Sequence, residues 1–241
     1  MSKEIIICCG INRSGSTWVY QVMQELYLDE KIIDLGFVDS DFVLLKEAIK
    51  ENGEIILAKM HNHPNGLKSL LSGHQVKLVY SHRDLRACIL SLTKKTGKPF
   101  DKVYKMSFFE EAVLSLSNWQ SYDHITYIDY KDIKGESEKA VKQIASFLQI
   151  KNINTKLITE KFSIERQKKR IKSYKRSPKF ILRILLHKLR LAPLPKDENS
   201  LLHFNHIQSG SIEEWKNIFT KEQSEIVKNT YSEWMNFFKY E

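Results

Sequence analysis

The stretch that decides the fold is IIICC-GINRSGST-W, residues 5–18. A short apolar run, a glycine-rich turn and the start of a helix follow one another here, which is the frame of a phosphate-binding loop. In the version that binds nucleoside triphosphates, G-x-x-x-x-G-K-[ST], a lysine reaches the β- and γ-phosphates, but Ser16 stands at that position. The loop therefore suits a single phosphate or a sulfate, held by backbone N–H groups at a helix N-terminus. The alternative is an ordinary glycine-serine turn.

The rest of the chain alternates short β-rich runs with helical patterns. The predicted strands are residues 4–9, 54–60, 75–81 and 124–129, and the predicted helices are residues 16–26, 42–51, 85–95 and 137–148. This order predicts an α/β fold in which a parallel β-sheet is flanked by helices on both faces, a three-layer architecture like that of the P-loop NTPases. Ligands of such sheets bind at the carboxyl ends of the strands, so chemistry is expected there.

Length and composition predict one α/β domain spanning residues 1–241. The chain has 241 residues, of which 42% are hydrophobic, and no apolar run approaches the length of a membrane span. With no visible targeting signal, we expect a cytoplasmic protein. Three cysteines, Cys8, Cys9 and Cys88, show no metal-ligand spacing and are expected to be small buried hydrophobic residues.

The positive charge is concentrated in one segment. Residues 161–190 contain twelve Lys and Arg against one acidic residue, so this segment carries +11 and the rest of the chain −2 out of a total of +9. The basic segment, a helical insertion or lid at about residues 161–195, contains a predicted helix with Arg183, His187 and Arg190 on one face. Such a helix could lie peripherally on an anionic membrane, cover a site or receive an anionic acceptor. The alternative is a surface helix whose leucines pack on the domain. Nucleic-acid binding is disfavoured because no nucleic-acid motif accompanies the charge.

Polar residues follow two of the predicted strands. Lys59, His61 and His63 leave the second strand, where a histidine could take a proton from a hydroxyl near neutral pH. Arg83 ends the third strand, and Ser91 follows eight residues later on the next helix, so the two could converge on a second phosphate. The alternatives are that the histidines have no chemical role, that Arg83 pairs with Asp84 or caps a helix, and that Ser91 is incidental.

Together these motifs resemble the sulfotransferases that use 3′-phosphoadenosine 5′-phosphosulfate (PAPS). The family's P-[KR]-S-G-[ST]-T-W loop is similar to NRSGSTW at residues 12–18, with Asn12 in place of the proline. Its arginine and serine eight residues apart correspond to Arg83 and Ser91, and its K-T-H segment to Lys59-Met60-His61. Its Y-E-D-like segment corresponds to residues 130–132, and its C-terminal R-K-G-x-x-G-D-W-K-N-x-F-T signature to residues 208–220, where Gln208 and Ser209 replace the basic pair.

The resemblance implies a donor site, PAP as the product and a set of roles. The catalytic residues implied are Arg13, which neutralises charge on the bridging oxygen, Lys59, a second cation at the sulfuryl oxygens, and His61, the general base. His63 remains the alternative base. The implied cofactor-binding residues hold the 5′-phosphate, flank the adenine or hold the 3′-phosphate: Arg13, Ser14, Gly15, Ser16, Thr17, Trp18, Arg83, Ser91, Tyr130 and the backbone of Gly210.

The reaction implied is a metal-free, in-line transfer of the sulfuryl group to a hydroxyl or amine. The acceptor, which could be a glycan, a lipid-linked sugar or a small molecule, has no signature in the sequence. Two other functions share the predicted architecture. One is a nucleoside or sugar kinase with a degenerate loop, disfavoured because the loop lysine is missing. The other is a non-catalytic nucleotide-binding protein that docks on an anionic surface through the basic segment.

Overall fold

A computed structural model of the chain describes residues 2–39, 41–51, 53–189, 191, 196–197, 201–203 and 211–240. Its centre is a five-stranded parallel sheet in the order β2-β3-β1-β4-β5. The strands are β1 (Glu4–Gly10), β2 (Ile32–Phe37), β3 (Ile55–Lys59), β4 (Gln75–His82) and β5 (Ile125–Asp129). A separate antiparallel pair is formed by β6 (Lys196–Asp197) and β7 (Leu202–His203).

Helices fill most of the connections between strands. The first seven are α1 (Ser16–Leu26), α2 (Val43–Lys50), α3 (Leu67–Leu70), α4 (Leu85–Thr96), α5 (Phe100–Val103), α6 (Ser107–Leu114) and α7 (Leu116–Trp119). After β5 come α8 (Tyr130–Gly135), α9 (Ser137–Leu148), α10 (Thr155–Lys161), α11 (Ile164–Lys175), α12 (Pro178–Lys188), a 3₁₀ helix (Glu214–Asn217), α13 (Lys221–Thr230) and α14 (Ser232–Phe237). Within the part of the chain described, none of these helices has the length and apolar character that crossing a bilayer requires.

Alternate residues of β1 point to opposite faces of the sheet, and each face is covered. Ile5 and Ile7 belong to one apolar core, which includes α4 and α14, while Ile6 and Cys8 belong to a second core with α1 and α9. A parallel sheet buried on both faces has near-continuous apolar strands, as β1 does. The predicted three-layer α/β fold is confirmed, and the predicted bounds of α1 and α9 match the structure.

The sequence analysis missed β2, which is the edge strand next to β3. Its sequence, IIDLGF, includes Asp34 and Gly36, and most of its residues are only half-buried. The register with β3 shifts between Asp34 and Phe37. The Asp34 carboxylate accepts hydrogen bonds from Tyr20 Oη and Gln24 Nε2 of α1, so this edge is fixed partly by side chains from a neighbouring layer. Ile33, Leu35 and Phe37 alternate with Asp34 and Gly36, so the period-two signal of a strand is present but only five residues long.

The end of β1 approaches β4 too closely for a side chain. A Cβ atom added to Gly10 would lie 2.1 Å from the backbone oxygen of Ser81, and the φ of Gly10 is +124°. Both facts require glycine at the point where the strand turns into the loop. Gly10 pairs with Ser81 of the neighbouring strand β4. This pairing fixes where the loop begins relative to the carboxyl end of β4.

We expect Gly10→Ala to lower the free energy of unfolding by about 3 kcal/mol or more, because the new methyl group would displace the β4 backbone. Gly73 provides the matched control, since its φ is +82° but nothing lies within 4 Å of an added Cβ. Gly73→Ala should cost only the backbone strain, about 1 kcal/mol. Urea unfolding of the two variants measures the difference, and equal losses would contradict the close approach.

Candidate active site

The loop after β1 is fixed to the neighbouring strand by Ser14. Its hydroxyl donates to the Ile11 backbone oxygen at 2.7 Å and shares a hydrogen bond with Ser81 Oγ at 2.6 Å. The Ser14 side chain is fully buried and faces β4 rather than open space. The Ser14 side chain therefore supports the loop from beneath, and the prediction that its backbone amide holds a phosphate does not involve this hydroxyl.

Above this loop lies a cavity of about 370 Å³ at the carboxyl end of the sheet. Eight of the predicted cofactor-binding residues line it: Arg13, Gly15, Ser16, Thr17, Trp18, Arg83, Ser91 and Tyr130. These residues come from the loop, from α1, from the β4–α4 junction and from the start of α8. The structure thus brings together residues that are more than one hundred positions apart in the sequence. Gly210, also predicted, lies outside the described residues, as does Arg190 of the basic segment.

Two guanidinium groups meet at one side of the cavity. Arg13 has a positive φ of 72°, and its Nε donates to Ser91 Oγ at 2.9 Å. Arg83 donates from Nη1 to the Arg13 backbone oxygen at 3.2 Å and from Nη2 to the Ser211 backbone oxygen at 2.8 Å. Burial and the neighbouring charge of Arg83 lower the pKa of Arg13 to about 10. Arg13 nevertheless remains cationic at neutral pH.

The alternative that Arg83 pairs with Asp84 is wrong. Asp84 caps α4 by accepting from the Arg86 backbone N–H, and its carboxylate forms an ion pair with the Arg86 guanidinium at 2.8 Å. Arg83 forms no ion pair with any described residue, and its buried Nε has no hydrogen-bond partner among them. A buried cationic donor without an acceptor is costly unless a ligand supplies one. The geometry around Arg83 therefore fits an anionic group such as a phosphate.

An aromatic wall stands beside the two guanidinium groups. The Tyr130 ring lies 4.1 Å from the Arg83 guanidinium carbon, in a cation–π arrangement. Trp18 lines the same cavity from the first turn of α1, and Phe162 lines it from the residues that precede α11. A Cβ on Gly15 would lie 2.7 Å from Ile133 and 3.1 Å from Tyr130, so the helix start can lie against this wall only as glycine. Flat apolar surfaces next to cations suit a nucleobase joined to phosphates.

Lys59 and the two histidines separate at the end of β3. The buried Lys59 Nζ donates to Thr17 Oγ1 at 2.8 Å, which brings a cation to the first turn of α1. His61 Nδ1 lies 2.7 Å from the Gly10 backbone oxygen, at the loop. His63 instead contacts Trp119 edge to face and forms a hydrogen bond with Tyr122 Oη at 3.0 Å. His63 thus belongs to an aromatic cluster, while His61 lies against the loop.

The hydrogen bond to Gly10 sets the tautomer of His61. A carbonyl oxygen only accepts, so Nδ1 carries the proton and Nε2 keeps its lone pair. Burial and the charge of Lys59 lower the pKa of His61 to about 3, although the Gly10 carbonyl works in the opposite direction. At neutral pH His61 is therefore neutral and can accept a proton at Nε2.

Several residues in or near the cavity were not predicted as site residues. Lys95 follows Ser91 by one helical turn on α4, and its charge acts on both Arg13 and His61. Burial and the Arg13 charge lower its pKa. Other unpredicted residues line the cavity from α4, α8, α9, the start of α11 and the 3₁₀ helix: Ala87, Leu90, Lys94, Ile133, Lys134, Ser137, Ser163, Ile164, Gln167, Glu214 and Trp215. Only the i+4 spacing from Ser91 could have pointed to Lys95.

Trp215 connects the C-terminal motif to the cavity. Its ring packs on Ala87 and Leu90 of α4 and lies 3.9 Å from the Arg86 guanidinium carbon. Beside it, the Glu214 carboxylate is paired with Lys94 Nζ. The 3₁₀ helix is therefore anchored on α4 next to Ser91, which explains how a motif near the C-terminus reaches a site built around the N-terminal loop.

A family model described as "Sulfotransferase domain" matches residues 3–239, nearly the whole chain. The chain belongs to the sulfotransferase family. The resemblance drawn from the sequence motifs is therefore confirmed at the level of the family.

Solved structures support the same fold. A mouse sulfotransferase, SULT7A1, complexed with PAP superposes with a TM-score of 0.64 at 18% identity, over 97% of this chain and 85% of that chain. Retinol dehydratase in complex with androsterone and the inactive cofactor PAP gives a TM-score of 0.61 at 14% identity, over 97% of this chain and 79% of that chain. At these identities the likeness shows a shared fold.

One curated protein is similar over a shorter stretch. It is a subunit of the ATP-dependent helicase/nuclease of Clostridium kluyveri, and it is 33% identical over 104 residues. The match covers 42% of this chain and 7% of that protein, so the chain spans only a small fraction of its length.

The neutral His61 predicts a pH dependence of stability. Between pH 6.5 and about 3, unfolded His61 binds a proton that the folded protein excludes, so the free energy of unfolding falls as the pH falls through this window. His61→Gln removes this titration. Below pH 6.5 the stability difference between wild type and variant should shift in favour of the variant, by up to about 1.4 kcal/mol per pH unit.

Urea unfolding at several pH values between 7 and 5 measures this difference. His124→Gln, at an exposed position, is the matched control for the loss of an imidazole. A difference between wild type and His61→Gln that stays constant with pH would show that folded and unfolded His61 bind protons alike.

Proposed function

We propose that the chain transfers a sulfuryl group from PAPS to a hydroxyl or amine of an acceptor. The observation that carries this proposal is the pair of guanidinium groups of Arg13 and Arg83, which meet at the N-terminus of α1 in a cavity lined by aromatic residues. Membership of the sulfotransferase family supports the same chemistry. The structures of related fold contain PAP, the product that this donor leaves.

The residues present fit a donor with phosphates at both ends of a nucleoside. The first turn of α1 offers backbone N–H groups that have no partner within the helix, and these would hold the 5′-phosphate. Arg83 and the Ser91 hydroxyl would hold the 3′-phosphate, with the backbone of Gly210 as a further proposed contact. Trp18 and Tyr130 would enclose the adenine. The unpartnered Arg83 Nε is the atom that such a ligand would satisfy.

The donor supplies an activated sulfur whose bond to the bridging oxygen breaks as the bond to the acceptor oxygen forms. His61 would take the acceptor proton at Nε2, while its Nδ1–H stays on the Gly10 carbonyl. Its lowered pKa keeps the ring neutral before the transfer. A general base contributes about 10²- to 10⁴-fold to the rate when its pKa lies near the working pH. The lowered pKa of His61 makes Nε2 a weaker base and places it at the lower end of this range.

The cations around the loop would stabilise the charge that develops during transfer. Arg13, where the family more often has lysine, would neutralise the bridging oxygen that leaves with the nucleotide. Lys59 reaches the first turn of α1 through Thr17 and would lie near the sulfuryl oxygens. Because these groups are buried and already placed, little reorganisation would be needed as charge appears.

We infer that the acceptor is a hydroxyl-bearing molecule, and a glycan, a lipid-linked sugar or a small molecule each provides that group.

We also propose that the chain works in the cytoplasm. Its cysteines, Cys8, Cys9 and Cys88, are all buried free thiols, as expected in a reducing compartment.

A kinase is the rival function, and two observations count against it. The loop lacks the lysine that contacts the β- and γ-phosphates. The carboxylates at neighbouring strand ends, which could hold magnesium, are engaged elsewhere: Asp84 pairs with Arg86, and Asp129 caps α8 and accepts from Tyr240 Oη.

Calorimetric titration with PAP tests the donor site. Arg83→Ala should weaken PAP binding about 10- to 100-fold, because it removes a charge-assisted contact worth about 1.5–3 kcal/mol. ADP has no 3′-phosphate, so its affinity should change little in the same variant. Arg166→Ala, at an exposed position on α11, is the matched control and should leave both affinities unchanged. Preference for ATP with magnesium over PAP would favour the kinase instead.

Turnover separates an enzyme from a non-catalytic binder and identifies the base. His61→Ala should lower kcat about 10²-fold, the lower end of the range for a general base, while PAP affinity is kept. His63→Ala is the control, because it removes the other histidine of the same segment from the aromatic cluster of Trp119 and Tyr122. The assay follows PAP release from PAPS over a panel of hydroxyl and amine acceptors. Loss of turnover in His63→Ala alone would assign the base to His63.

A further inference from the structure

Helix α12 is turned with its apolar face outward. Ile181, Leu182, Leu185 and Leu189 are 54%, 58%, 52% and 67% exposed. They occupy positions i, i+1, i+4 and i+8, which form one stripe along a helix. The cationic side chains Arg183 and His187 lie on the other side, where they are half-buried and interact with other residues of the chain. Of the leucines that the alternative packs on the domain, Leu182, Leu185 and Leu189 are exposed instead, while Leu186 is half-buried.

The exposed apolar residues are concentrated at this helix. Fourteen large hydrophobic side chains are exposed among the described residues, and five of them fall between residues 181 and 191, with Leu191 the most exposed at 72%. The other nine are distributed over the remaining described residues. Single exposed apolar residues are normal, but a continuous stripe on one helix marks a surface that another phase or molecule covers.

The charge around the stripe indicates what covers it. Residues 161–190 carry +11, and the exposed cations include Lys168, Lys169 and Lys172 of α11 and Lys188 at the end of α12. Glu165 is the only acidic residue in this range. An apolar stripe within a segment that carries many cations and almost no carboxylates complements the headgroups and acyl boundary of an anionic bilayer.

We propose that α12 binds to the surface of an anionic membrane, with Ile181, Leu182, Leu185 and Leu189 inserted at the acyl boundary. The surrounding lysines and arginines would lie at the level of the lipid headgroups. This surface is separate from the cavity of the proposed function, and the inference does not depend on the chemistry that occurs there.

The connection to the cavity makes this surface functionally relevant. The first residues of α11, Ser163 and Ile164, line the cavity. At the other end of α11, the Tyr174 ring packs edge to face on Phe180 of α12, with centroids 5.3 Å apart. One helix, α11, therefore connects the membrane-binding surface to the cavity wall.

Vesicle flotation of the full chain tests the proposal. At physiological ionic strength the chain should float with vesicles of equimolar phosphatidylcholine and phosphatidylglycerol, and at least about tenfold less with phosphatidylcholine alone. The double variant Leu182→Ser/Leu185→Ser should reduce flotation about tenfold or more, because the stripe no longer inserts. Leu28→Ser/Leu114→Ser is the matched control, since these leucines are 67% and 66% exposed on other elements. It should float like wild type.

Charge reversal provides an independent arm of the experiment. Lys172→Glu/Lys188→Glu should lower flotation with the anionic vesicles about tenfold, whereas Lys142→Glu/Lys151→Glu, at exposed positions outside the basic segment, should change it much less. Absence of flotation by wild type would overturn the proposal, and so would equal losses in each variant and its control.

A second copy of the chain is the other occupant that the test distinguishes. If wild type is a dimer by light scattering and Leu182→Ser/Leu185→Ser is a monomer, while neither floats, the stripe is a dimer interface and the membrane proposal fails.

PAP titration of the same double variant should match wild type. Failure of wild type to bind PAP would overturn the proposed function and leave the flotation result standing.

Discussion

The close approach of Gly10 to Ser81 is the contact on which the geometry of the site depends. It lets β1 end directly against β4, so that Ser81 Oγ can also bond to Ser14 and hold the loop from beneath. With the loop held there, the Arg13 side chain reaches Ser91 on α4, the helix that continues from β4. The pairing of β1 with β4 thus positions both halves of the proposed phosphate site, namely the loop with Arg13 and the helix α4 with Ser91.

The same edge concentrates positive charge at a cost to stability. Arg13 and Arg83 lie together, and the charges of Lys59 and Lys95 both act on His61. Burial first, and the repulsion between these charges second, lower the pKa values of Arg13, Lys95 and His61. Sites that perturb several ionisable groups together are typical of function rather than of folding. We interpret this cluster of cations as a binding site for an anionic ligand, whose negative charge would reduce the repulsion between them.

Much of the fold and part of the site could be predicted from the sequence, for specific physical reasons. The apolar run of β1 and the spacing of apolar residues in α1 each imply a single local structure, so those elements were predicted correctly. Arg83 and Ser91 were found because the spacing is local and lies on one strand–helix unit. Phe162 and Trp215 were not predicted as cavity residues, because their positions arise from packing between segments distant in the chain. The edge strand β2 was missed because its alternation is short and includes Asp34 and Gly36, residue types that are depleted in strands.

The orientation of α12 shows a different limit of sequence reasoning. Periodicity reveals that a helix has an apolar side and a cationic side, but it does not say which side the protein covers. The usual expectation turns leucines inward, because a soluble domain gains free energy by burying them. Here Arg183 and His187 occupy the protein side instead, and the aliphatic stripe faces outward. A continuous outward apolar stripe is typical of a surface that binds another molecule or a membrane. The high local charge makes self-association through this surface repulsive, which favours an anionic surface over a second copy of the chain.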